Sequence, residues 1–109
     1  MLISNEKYAA GDTVTFKLSN GDEIVGRIIE DSALEWKVER PLTVVPNQKG
    51  IMLIASLFTA DPDIKITLHK NHVLMHAPSA KQVCDYYIEV TTGIKPVSSG
   101  VASSILSGF

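Results

Sequence analysis

The sequence holds one cysteine and few aromatics, and no apolar run is long. With Cys84 alone, an intrachain disulfide is excluded, and a reducing compartment is the expected setting. No stretch approaches the roughly 20 apolar residues that a membrane-spanning helix needs. Met1 to Tyr8 carries Glu6 and Lys7 and has no signal-peptide pattern. These absences predict a cytoplasmic protein with no membrane partner. Charge of one sign is also lacking. Ten basic against twelve acidic side chains leave a net charge of −2, so bulk charge cannot hold a nucleic acid and only a local patch could.

What is present is apolar: 45% of the 109 residues are hydrophobic, which argues against disorder and predicts one domain. That fraction is high for so small a domain, and buried subunit interfaces would account for some of it. Strand patterning begins at residue 13. Val14, Phe16 and Leu18 alternate with Thr13, Thr15, Lys17 and Ser19, the period of a half-buried strand. Asn20-Gly21-Asp22 is a hairpin signal, since Asn and Gly tolerate positive φ. The return strand, residues 23–31, is apolar on both faces, with Ile24 and Ile28 on one and Val25 and Ile29 on the other. Gly26 at its middle permits a sharp bend.

Leu34, Trp36 and Val38 predict a third strand, interrupted at Arg40-Pro41 because proline cannot donate to the ladder, and resuming over residues 42–45. Asn47 to Gly50 reads as a loop. The apolar run 51–58 predicts a buried strand or one that pairs with another subunit. A turn over 59–63, a strand over 64–68 and a last strand over 72–76 follow.

The pattern then changes to helical. Ser79 and Gln82 stand at capping-box spacing, and Val83, Tyr87 and Val90, flanked by Cys84 and Ile88, make an apolar stripe that ends near Gly93. The predicted organisation is a lead-in over 1–12, a barrel over 13–76, a C-terminal helix over 79–93 and a mobile Ser- and Gly-rich tail over 94–109. In that tail Ile105, Leu106 and Phe109 remain as apolar anchors.

The stretch Val14-Thr15-Phe16-Lys17-Leu18-Ser19-Asn20-Gly21-Asp22-Glu23-Ile24-Val25-Gly26-Arg27-Ile28 resembles the first motif of the Sm-like (LSm/Hfq-type) family. Leu68-His69-Lys70-Asn71-His72-Val73-Leu74 resembles its second motif, Ile-Arg-Gly-Asn-x-Val. The resemblance covers roughly residues 13–76. The phrase Trp36-Lys37-Val38-Glu39-Arg40-Pro41-Leu42 is similar to small Sm-like proteins of tailed cyanophages, which would place the chain in the host cytoplasm.

The resemblance implies a mainly β fold: a small five-stranded, strongly bent SH3-type barrel, here with a C-terminal helix where the family has one before the barrel. It implies a homo-oligomeric ring of about five to seven subunits, closed by the fourth strand of one copy pairing with the fifth of the next. Met52, Leu53, Ile54, Leu57, Val73 and Met75 would then be subunit contacts. Such rings bind single-stranded RNA around the pore and act as chaperones or assembly factors.

Carried over position by position, the RNA site becomes Asp31, Ser32, Leu34, Glu35, His69, Lys70 and Asn71. Leu34 occupies a loop that holds no stacking aromatic, Glu35 stands in place of the base-reading asparagine, and His69-Lys70 replaces Arg-Gly. Asn71 matches and would supply the positive φ that glycine otherwise provides. A carboxylate at 35 cannot donate hydrogen bonds, which favours the alternative of a structural or adaptor ring that binds protein.

The remaining residues point to no enzyme and no cofactor. His69, His72 and His76 invite a zinc site, but four strand residues separate the last two by roughly 13 Å. Zinc draws its ligands to about 2.0–2.1 Å, so one chain cannot chelate with that pair. Asp61-Pro62-Asp63 is ordinary turn chemistry without calcium-loop spacing, and Cys84 has no basic run beside it to activate the thiol.

Overall fold

The computed structural model describes residues 7–93; the predicted mobile tail over 94–109 lies outside them. Six strands and one helix follow in the order β1 (Thr13–Leu18), β2 (Glu23–Asp31), β3 (Glu35–Asn47), β4 (Gly50–Ala55), β5 (Ile66–His69), β6 (Val73–Pro78) and α1 (Lys81–Thr92). A single 3-10 turn, Lys70–His72, joins β5 to β6. All pairings are antiparallel, in the order β4-β3-β2-β1-β6, with β5 also on β3.

The strand count exceeds the expected five for a structural reason. The far end of β3, Leu42 to Asn47, pairs with β4, while its near end, Glu35 to Val38, pairs with β5. Both shorter strands therefore run along the same edge of β3, as two halves of one strand. Residues 56–65 leave the sheet between them, opposite Glu39 to Pro41. The expected continuous strand over 51–58 accordingly ends at Ala55.

The sheet curls because β2 and β3 carry two compensating bulges. Val25 faces Leu42 but Arg27 faces Glu39, so Arg40 and Pro41 together oppose Gly26. A second shift between Ile28 and Glu30 restores the register. Arg40 takes φ 48°, the only positive φ among the described non-glycine residues. Pro41 does not interrupt β3, contrary to the sequence expectation, because this irregularity absorbs the lost donor. A Cβ on Gly26 would lie at ordinary contact distance, 3.5 Å from the Val38 Cβ and 3.8 Å from the Pro41 Cα, so a methyl fits there and a larger side chain would have to push the strands apart.

One extra residue also exchanges the faces of β3. Trp36 and Val38 join Val14, Phe16, Ile24 and Ile28 in one buried cluster, closed by Tyr8, Leu18, Ile66, Leu68 and Val73. Leu42, beyond the bulge, joins Val25 and Leu53 on the opposite face, and Tyr87 of α1 completes that cluster. The two-faced apolar pattern of β2 thus has a cause: one face lines the inside of the curl and the other receives the helix.

Val83 and Tyr86 pack beside Tyr87, whose hydroxyl donates to the Glu39 carbonyl at 2.8 Å. Ile88 and Val90 stay exposed. The helix ends as expected, with Gly93 at φ 76°. It does not begin as expected. Ala80 is the N-cap and no capping box forms, because the Ser79 hydroxyl bonds Thr15 Oγ1 at 2.7 Å.

Leu53, expected at a subunit contact, is only 6% exposed and packs in the chain's own core. Met52 and Met75 are exposed on the outer strands β4 and β6, as is Leu57 in the 56–65 segment; Ile54 and Val73 are half-buried.

Candidate nucleic-acid interface

The pairing of β5 with β3 brings two sequence-distant segments together: the β2–β3 connection, 31–35, and the turn that follows β5. The Lys70 ammonium meets the Asp31 carboxylate at 2.7 Å, and the Lys70 backbone N–H donates to the Leu34 carbonyl at 3.0 Å. Glu35 lies directly across the ladder from His69. Ser32 closes the connection, its N–H donating to the Glu35 carbonyl at 2.9 Å and its hydroxyl to Glu30 at 3.1 Å. The seven residues expected at the site thus occupy one end of the sheet, with His69 and Asn71 exposed.

Two details differ from expectation. Asn71 has no positive φ; it lies inside the 3-10 turn, which reverses the chain without a left-handed residue. His72 is in the same turn and not on a strand, which removes the geometry that would have set it on one face with His76.

The electrostatics are nearly self-cancelling. The Asp31 side chain is 6% exposed, and this burial would raise its pKa. The hydrogen bond and charge of Lys70, with the Tyr8 N–H donating at 3.0 Å, outweigh that effect and hold the carboxyl below its ordinary value. Glu35 pairs with Lys37 at 3.1 Å, and Lys37 also donates to Thr67 at 2.8 Å. Lys37 and Lys70 therefore each face a carboxylate, while Lys7 borders the cleft beside Asp31 and Lys70. Leu34, by contrast, is 79% exposed at the tip.

An aromatic group behind Asp31 and Lys70 escaped the sequence reading. Lys70 Nζ stands 4.6 Å from the Trp36 ring centroid, a cation–π contact. The His76 ring meets Trp36 edge-on at 5.0 Å, and its Nδ1 is 2.6 Å from the Tyr8 hydroxyl. Burial first, then the nearby Asp31 and Asp12 carboxylates, push the Tyr8 phenol above its ordinary pKa. Tyr8, Asp31, Trp36, Lys70, Leu74 and His76 border a cleft of about 790 Å³. Tyr8 could not be found from periodicity, because it precedes the first alternating strand. His76 offered only its strand position.

Comparison with protein-family models and with curated proteins returned no match for this chain. Among the described residues no group of three or more His, Cys, Asp and Glu side chains converges as metal ligands would, and no helix is long and apolar enough to cross a membrane.

Proposed function

We propose that the chain is a ring-forming Sm-like protein, without enzymatic activity, that binds single-stranded RNA where the 31–35 connection meets the turn at 69–71. The observation that carries the reading is the Asp31–Lys70 contact, which draws the 31–35 connection and the second motif segment into one surface. Around it, Leu34, His69 and Asn71 offer an apolar platform, a ring and an amide to unstacked bases, the usual means of single-strand recognition.

Ring formation is supported by the two free edges. β4 and β6 stand at opposite ends of one strand order, and each presents exposed apolar residues: Met52 on the first, Leu74 and Met75 on the second. Joining the β4 edge of one copy to the β6 edge of the next is a head-to-tail contact. Such contacts close into rings when the rotation permits, and they remove both edges from solvent.

A second reading, an adaptor ring that binds protein, draws on one specific observation: Lys37 and Lys70, beside the 31–35 connection, are each already paired with a carboxylate. Fluorescence anisotropy of a labelled uridine-rich oligonucleotide across a salt series separates the two. RNA binding predicts affinity that falls steeply with salt and a further loss in Lys70→Met. Absence of binding at low salt would leave the adaptor reading in its place.

A further inference from the structure

The 56–65 segment, the β3 bulge and the last turn of α1 together enclose an apolar groove of about 460 Å³, at residues outside the proposed RNA site. Leu42, Leu57, Phe58, Ile64, Ile66 and Val90 line it. Phe58 is 80% exposed, and Leu57, Ile64 and Val90 are exposed as well, so one apolar patch lies open along the groove. Arg40 holds the walls together. Its guanidinium donates to the Thr91 carbonyl at the end of α1 and meets Asp63 of the 56–65 segment at 3.3 Å. The Arg40 side chain thereby ties the end of α1 to the 56–65 segment.

We propose that this groove is the docking site for residues 105–109 of the same chain. The sequence continues from Gly93, two residues beyond the groove-lining Thr91, so the following segment starts at the groove's own wall. Residues 98–104 are dominated by Ser and Gly, and Ile105, Leu106 and Phe109 then return as uncharged apolar anchors. A linker of the length that separates Gly93 from Ile105 would, if Gly/Ser-like, have a root-mean-square span of roughly 20 Å. That is short enough to return to the wall it left, and a tether of this length supplies an effective concentration on the order of millimolar. Lys95 is the only charged residue of the given sequence after Gly93, and the groove side carries the opposite charge at Asp61 and Asp63.

The proposal is independent of the nucleic-acid reading. Its test places a nitroxide on Ser107→Cys in a Cys84→Ser background of the full chain. The reporters are the methyl resonances of Leu57, Ile64 and Val90. Docking predicts that these signals lose most of their intensity while methyls on the far side of the sheet keep theirs. Phe58→Asp, an exposed position whose change leaves the core intact, should restore them. Three results would overturn the proposal. The first is no loss at the groove, and the second is a loss that persists in Phe58→Asp. The third is a loss of equal size when isotope-labelled, untagged chains are refolded with an excess of unlabelled, tagged chains, which would make the occupant a second copy.

Discussion

Removing the Tyr87 side chain should detach α1 from the sheet, and the cost can be worked from its surroundings. The ring is 3% exposed and packs against Val25, Leu42 and Leu53, while its hydroxyl satisfies the Glu39 carbonyl at 2.8 Å. Tyr87→Phe keeps the packing and leaves that carbonyl without its donor, a loss of about 1 kcal/mol. Tyr87→Ala also opens a cavity where the ring stood, and truncations of a buried aromatic cost about 3–5 kcal/mol. For a domain of this size the first change lowers Tm by about 4–8 °C and the second by several times that. Urea unfolding followed by circular dichroism reads both.

The pH dependence supplies an independent check on the same contact. Burial, with the Glu39 carboxylate nearby, pushes the Tyr87 phenol up from 10.0 to about 12. The unfolded chain therefore releases this proton first as pH rises. The contribution is fully present below pH 10 and is lost between pH 10 and about 12, and the difference between the protein and Tyr87→Phe isolates it. If Tyr87→Ala costs less than about 1 kcal/mol and the alkaline difference is absent, the helix is not held on the sheet as described.

Other expectations follow from the bend, the ion pair and the edges. Gly26→Ala should cost under about 1 kcal/mol, because its Cβ meets Val38 at an ordinary 3.5 Å, whereas Gly26→Leu must displace Pro41 and should cost about 1–3 kcal/mol by urea titration. The Asp31 carboxyl is held below its usual 3.8, so its contribution is present above that pH and lost as pH falls through the lowered value. The stability gap between the protein and Asp31→Asn should therefore close in acid, and a gap constant to pH 2 would contradict the Lys70 pairing. Met75→Lys, on the outer strand and solvent-facing, should change the stability of the isolated chain by no more than about 0.5 kcal/mol while weakening assembly.

Much of the sheet was legible because its signals are local. Alternation over 13–19, Asn20-Gly21 and the mid-strand Gly26 each have one structural solution, and the two apolar faces of β2 foretold a second packed layer. Arg40-Pro41 misled because a bulge, which depends on the partner strand, lets proline sit inside a central strand. Ile51 to Phe58 misled because composition is continuous there while the ladder is not: Leu57 and Phe58 belong to the groove-forming segment. Ser79 had the right neighbour for a cap but a better partner in Thr15, sixty-four residues away in sequence. At the candidate site, motif spacing reached only as far as grouping residues 31–35 with 69–71, segments that the Asp31–Lys70 contact places side by side. Tyr8 and His76 were not, since their contact exists only once β6 lies beside the lead-in.

The central claim is a ring built through β4 and β6 that carries RNA at the 31–35 and 69–71 surface. Native mass spectrometry of the full chain with a short uridine-rich RNA tests it most directly, with Met52→Lys/Met75→Lys alongside. The proposed ring should appear as one closed oligomer that gains the mass of the RNA, and the double variant should shift to monomer. A chain that stays at the 11.8 kDa of a single copy would contradict it, as would a double variant that keeps the full assembly.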